Sequence, residues 1–300
     1  MASGFSRRGF LATAASFAAV PLAHADPARL LTIPVTIAGN GPFQFVVDSG
    51  AERTVIADDI AATLGLTKSG RASVVGIVRE MQADTVALPR LEAGGVVAQN
   101  LHLPVLPRTW LQADGYLGLD IIDGHRVTFD FARNKLELRE PILGLFAGYA
   151  RPDESVLSAS GQSGKLRTAD CRVDGIPAIA FLDTGAEVSV ANSQLYKALA
   201  EQGAQFLSAA PMMLSGITGG SVPARTLSIG RAQLGGFDLS TTGLAVADLP
   251  IFDLWGLADK PALFVGMDFL RKFSRVSIDY GHGQYRLELA SLMLASRAQS

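Results

Sequence analysis

The chain has 300 residues, which at roughly 150 residues per domain points to two compact units, each able to bury a core. Hydrophobic residues make up 48% and charged ones 18%, with a mean hydropathy of +0.27, so the chain is globular and not disordered. Lys plus Arg number 26 against 28 for Asp plus Glu, so no basic excess favours nucleic acid, and one cysteine with four histidines cannot build a Cys-rich zinc site.

In chain order, the first feature is Ser6-Arg7-Arg8-Gly9-Phe10-Leu11 ahead of an Ala-rich apolar run that ends near Ala23-His24-Ala25. That layout predicts a signal peptide over residues 1–25, cleaved after Ala25. The apolar run is too short for the ~20 residues a membrane-spanning helix needs, so no stable membrane anchor is expected. The paired arginines resemble a bacterial twin-arginine export signal, with an ordinary Sec signal as the alternative, and either implies a periplasmic or secreted protein. Cys171 is alone, so stability outside the cytoplasm must come from the core and not from an internal disulfide.

A long internal repeat follows. Phe45-Val46-Val47-Asp48-Ser49-Gly50-Ala51-Glu52 matches Ala180-Phe181-Leu182-Asp183-Thr184-Gly185-Ala186-Glu187 at an offset of 135 residues. Tyr116-Leu117-Gly118-Leu119-Asp120 matches Phe264-Val265-Gly266-Met267-Asp268 at an offset of 148, and alternating strands follow at 126–131 and 275–280. The pattern predicts a hairpin of Ile33–Ile37 and Phe43–Val47 around a Gly39–Pro42 turn, leading into Asp48. Short helices are expected at 57–64, at 194–200 and after Gly118 and Gly266. The expected fold class is all-β, two duplicated lobes over 26–139 and 166–290, with a Ser/Gly-rich linker at 140–165 and a tail at 291–300.

Two carboxylates on tight loops, brought together by pseudo-twofold symmetry, form a pair that cannot ionise twice and so holds one proton. The ionised member can take a proton from water while the other donates a hydrogen bond to a developing oxyanion. Ser49 and Thr184 supply hydroxyls that can cross to the opposite loop, and Gly50 and Gly185 allow backbone N–H groups to approach closely. Asp48-Ser49-Gly50-Ala51 and Asp183-Thr184-Gly185-Ala186 resemble the active-site loops of retropepsin-like aspartic proteases. One such tetrapeptide arises by chance in roughly one chain of this length in a hundred, but two in repeated context do not.

The resemblance implies an aspartic endopeptidase with Asp48 and Asp183 as the catalytic pair. Ser49, Gly50, Ala51, Thr184, Gly185 and Ala186 would support the loops, with Gly118 and Gly266 beneath them. It implies no cofactor and no metal, an extended polypeptide as substrate, and a monomer acting as an intramolecular pseudo-dimer. It also implies a flap over the cleft, for which the candidates are Gly76-Ile77 and Gly216-Ile217 with Gly219. Glu52 and Glu187 either contact substrate or form surface ion pairs, and Trp110 and Trp255 are expected in the core. A peptide-binding module without catalysis is the alternative, because a scaffold alone does not establish activity. A serine hydrolase lacks its G-x-S-x-G elbow here.

Overall fold

The computed structural model describes residues 22–23, 30–141, 153–161, 163–239 and 243–289. The expected leader, apart from Leu22–Ala23, and the expected tail lie outside the described residues, as does part of the expected linker.

The fold is a two-lobed, retropepsin-like arrangement of strands with short helices. The first lobe is a seven-stranded sheet in the order Thr32–Ile37, Asn40–Val47, Gly115–Leu117, Val55–Ala57, Val96–Leu106, Glu80–Ala93, Lys68–Val75, and its first strand also pairs with Glu80–Ala93. Phe45, Val46 and Val47 are all buried, as an unbroken apolar run at the inner end of a strand requires. The second lobe repeats this plan in a ten-stranded sheet, with Leu22–Ala23 running parallel to Met212–Ser215 at one edge.

In each lobe the strand entering the Asp loop pairs in parallel with the strand that ends at the downstream glycine. Phe45, Val46 and Val47 face Gly115, Tyr116 and Leu117. Phe181 and Leu182 face Phe264 and Val265. The pairing continues one step further, with Asp48 N–H donating to Leu117 O and Asp183 N–H to Val265 O, each at 2.9 Å. Both aspartates therefore sit where a buried parallel pair runs out.

The lobes share a third, five-stranded sheet in the order Lys135–Arg139, Arg126–Asp130, Phe273–Asp279, Gln284–Leu289, Glu154–Ser158. Thr128 stands opposite Ser277 across the pseudo-twofold and their hydroxyls bond at 3.0 Å. Arg275 reaches Asp130 at 2.7 Å and Glu288 at 3.2 Å across the same sheet. Sequence pattern places the two closing hairpins in separate lobes. They merge because an isolated two-stranded hairpin is marginal and exposes an unpaired edge.

Local differences from the sequence expectation have equally local causes. The first hairpin turns at Ala38 and Gly39, not over Gly39–Pro42, because both residues take positive φ (48° and 82°) and a two-residue turn of that kind matches strand twist. The 140–165 interval includes the strand Glu154–Ser158, which covers the edge of Gln284–Leu289 and buries Leu157. The helices fall at Asp58–Thr63, Ser193–Glu201, Leu119–Ile122 and Met267–Leu270, with two more at Arg108–Leu111 and Pro250–Leu254.

The Ser193–Glu201 helix is capped by buried Asn192, whose Oδ1 accepts from Leu195 N–H at 3.0 Å and Ala262 N–H at 3.1 Å. Its Nδ2 donates to Leu257 O and Lys260 O at 2.9 and 2.7 Å. Asn192→Ala strands all four groups and is expected to destabilise the protein by about 2–3 kcal/mol. Denaturant unfolding checks this: the midpoint should fall while the m-value holds.

Candidate active site

Each loop tethers its own carboxylate through backbone N–H groups. Gly50 and Ala51 donate to Asp48 Oδ1 at 2.8 and 3.1 Å, and Gly185 donates to Asp183 Oδ1 at 3.1 Å. Both side chains are buried, and their carboxyl groups lie within hydrogen-bonding reach of one another. The glycines make this approach possible. A Cβ on Gly50 would lie 2.7 Å from Asp183 Oδ2, and a Cβ on Gly185 would run into the Asp48 carboxyl.

Beneath the carboxyls the hydroxyls cross between loops as their positions in the repeat suggest. Ser49 Oγ donates to Leu182 O and Thr184 Oγ1 to Val47 O, both at 2.7 Å. Ser49 N–H donates to Thr184 Oγ1 at 3.1 Å, and Thr184 N–H to Ser49 Oγ at 3.0 Å. Each bond has its twofold counterpart, so the two loops are held as one unit with no buried polar group of the four left open.

A third layer supports the loops. Leu119 N–H donates to Ala51 O and Met267 N–H to Ala186 O, each at 2.8 Å. Side chains at Gly118 and Gly266 would strike the backbone of Arg53 and Val188 at 2.6 and 2.8 Å. Thr54 and Ser189 complete this layer. The hydroxyl of each donates to Asp120 or Asp268 at 2.6 Å and accepts from Gly118 or Gly266 N–H at 3.0 or 2.9 Å. Sequence pattern does not reveal this polar quartet, although Thr54 and Ser189 share the 135-residue offset and Asp120 and Asp268 the 148-residue one.

Above the pair lies a cleft of about 250 Å³ whose lining includes Asp48, Gly50, Ala51, Asp183, Gly185 and Ala186. Gly76, Ile77, Gly216, Ile217 and Gly219 line it from the other side, so both flap candidates reach the site. Glu187 is in the lining, whereas Glu52 forms an ion pair with Lys165. Trp255 is in the core, stacked on Phe181 with ring centroids 4.2 Å apart. Trp110 is not: it lines the cleft at 36% exposure, because the Arg108–Leu111 helix turns it towards the opening and buries Leu111 instead. The wall beside Asp183 is apolar, built from Val190, Leu214, Ile251, Leu254 and Phe264, of which the matched repeat segments include only Phe264.

Burial is the main cause that raises both carboxyls. It pushes Asp48 up to about 6, against the N–H bonds from Gly50 and Ala51. Burial together with the charge of Asp48 drives Asp183 well above the usual carboxylate range. Two carboxyls so placed hold one proton between them across neutral pH.

Two lobes with a carboxyl pair at their junction define an acid-protease architecture. A family model described as aspartyl protease matches residues 33–121 and 169–269, more than half of the chain and one segment in each lobe. The chain belongs to the aspartyl protease family. A search of curated proteins returns no match.

The raised values carry a stability consequence whose sign is fixed. A carboxyl that binds its proton more tightly when folded favours the fold most at low pH, and that contribution falls as pH rises from about 4 through the folded value. For Asp48 the loss spans about pH 4 to about 6 and is on the order of 3 kcal/mol at 1.36 kcal/mol per unit. Asp48→Asn should therefore melt several degrees above the parent at pH 7 and close to it at pH 4. Paired melting curves at the two pH values test this, and a constant difference would contradict it.

Proposed function

We propose that the protein is an aspartic endopeptidase in which Asp48 and Asp183 activate a water that attacks a peptide carbonyl. The supporting observation is the buried carboxyl pair on the floor of a cleft that two hairpins cover. The ionised carboxylate takes a proton from water as the new carbon–oxygen bond forms, and its protonated partner donates to the carbonyl oxygen. Return of a proton to the amide nitrogen lets the carbon–nitrogen bond break, and no covalent enzyme intermediate is required.

The substrate in this proposal is an extended polypeptide, bound by strand-like backbone pairing along the flap hairpins and with an apolar side chain against Leu214, Ile251 and Phe264. Both carboxyls come from one chain, which supports action as a monomer. The Arg7-Arg8 leader pattern supports export to the periplasm through the twin-arginine route. Among the described residues no helix is long and apolar enough to cross a membrane, and no group of three or more His, Cys, Asp or Glu could hold a metal ion.

Cleavage of a denatured protein by the leaderless chain tests the reading. Asp48→Asn and Asp183→Asn are each expected to lower kcat/KM by at least about 1000-fold. Activity of the parent should rise as pH increases through about 6, where Asp48 ionises, and fall again where Asp183 loses its proton. Equal turnover by parent and variants rejects the mechanism. Peptide binding without cleavage by the parent moves the protein to the non-catalytic class.

A further inference from the structure

The two hairpin tips meet over the cleft. One tip, closed by Gly76 N–H to Arg79 O at 3.0 Å, comes from the first lobe. The other, closed by Gly219 N–H to Gly216 O at 2.9 Å, comes from the second. Gly76 packs so tightly on Thr218 that a Cβ there would lie 2.8 Å from Thr218 Cγ2. Gly216 is similarly close to Ile77, where an added Cβ would be 3.0 Å from Cγ1. The cleft is therefore roofed, and a long polypeptide can reach the carboxyl pair from above only if the tips part.

Ile77 and Val78 of the first tip pack against Gly216 and Gly220 of the second, and Ile77 also packs on the apolar core of the second lobe. Both are built around glycine, which contributes no side chain to the contact. Thr218 is fully buried and its hydroxyl has no hydrogen-bond partner among the described residues, so closure leaves a polar group unsatisfied that opening would hydrate. Besides these apolar contacts, one polar side chain ties the tips directly. Arg79 Nε donates to Thr218 O at 3.0 Å across the junction, and its guanidinium lies over the Trp110 ring, 5.9 Å from the centroid. Trp110 belongs to the first lobe, so Arg79 is braced on its own lobe while it grips the tip of the other.

We propose that Arg79, held between the Trp110 ring and the Thr218 carbonyl, is the latch of the cleft roof and sets the rate at which a polypeptide enters. The inference rests on the peptide-hydrolase reading only for the identity of what enters. It assigns Arg79 a positioning and gating role, with no part in bond cleavage.

The test reads capture separately from cleavage. In the Asp48→Asn background, stopped-flow anisotropy follows association of fluorescein-labelled unfolded casein. A Gly76→Cys, Thr218→Cys pair supplies a lock: the Cβ positions are 3.1 Å apart, a few tenths of an ångström inside the roughly 3.5–4.5 Å that disulfides span, so a small parting of the tips brings them to bonding geometry, and Cys171 is buried. Oxidation should slow capture at least tenfold and reductant should restore it. Arg79→Ala should speed capture several-fold and accelerate amide exchange at residues 76–79 and 216–219, a readout that decides the matter if the Cys pair does not fold. Identical capture with the lock open and shut overturns the latch, as does an Arg79→Ala protein unchanged in capture and exchange, or no capture at all. Latch-dependent capture with no cleavage by the parent protein removes the hydrolase reading and leaves the latch. Cleavage with latch-independent capture does the reverse.

Discussion

The structure depends on keeping two buried carboxyl groups within hydrogen-bonding reach of each other on the floor of the cleft. Burial and mutual repulsion both oppose that arrangement, and the raised proton affinities of Asp48 and Asp183 measure the opposition. What balances it is not a countercharge. It is a set of neutral dipoles: N–H groups of Gly50, Ala51 and Gly185 on the carboxylates, and below them the crossed hydroxyls of Ser49 and Thr184. A cation beside the pair would have depressed both values and removed the shared proton on which the proposed chemistry relies. Dipoles hold the groups in place and leave the proton there.

From this constraint the remaining architecture follows outward in layers. The loops must not sag, so Gly118 and Gly266 let the following helical turns dock beneath them, and Thr54 with Asp120, or Ser189 with Asp268, fill the polar space that remains. The lobes must not separate, so their last strands join in one sheet with Thr128 facing Ser277 and Arg275 reaching Asp130. Individually these hydrogen bonds contribute about 1 kcal/mol each. Their effect is to fix a geometry, because each satisfied group leaves its neighbours no alternative partner.

The internal repeat makes the floor of the site legible in the amino-acid order alone. A tight carboxylate loop accepts few residue types, so Asp, a hydroxyl, Gly and Ala recur at a fixed offset, as do the glycines beneath. The same offsets carry Thr54 with Ser189 and Asp120 with Asp268. Their role is not legible there, because residues 66 and 79 positions apart meet only after folding. Fold class is readable from alternating strands, but the shared sheet is not, since strand pattern gives a face and never a partner. Trp110 departs from expectation for a related reason. Its sequence surroundings match those of Trp255, but the short Arg108–Leu111 helix buries Leu111 and leaves the tryptophan at the opening.

Symmetry is closest in the hydroxyl layer beneath the carboxyl pair and lapses with distance from it. The crossed hydroxyls pair bond for bond, while the amide donors differ by one, with Gly50 and Ala51 on Asp48 and Gly185 on Asp183. The walls differ further. Trp110 and Leu254 occupy matching helices just ahead of matching strands, and Tyr116 in one lobe is replaced by Phe264 in the other. The roof departs furthest, with Arg79 of one tip gripping the backbone of the other. For the proposed polypeptide substrate, a symmetric cleft would accept either chain direction, and only one direction would present a given bond correctly. Divergent walls would remove that ambiguity without disturbing the pair, so under the proposed function duplication followed by change in the walls and roof gives a near-symmetric floor beneath a directional cleft.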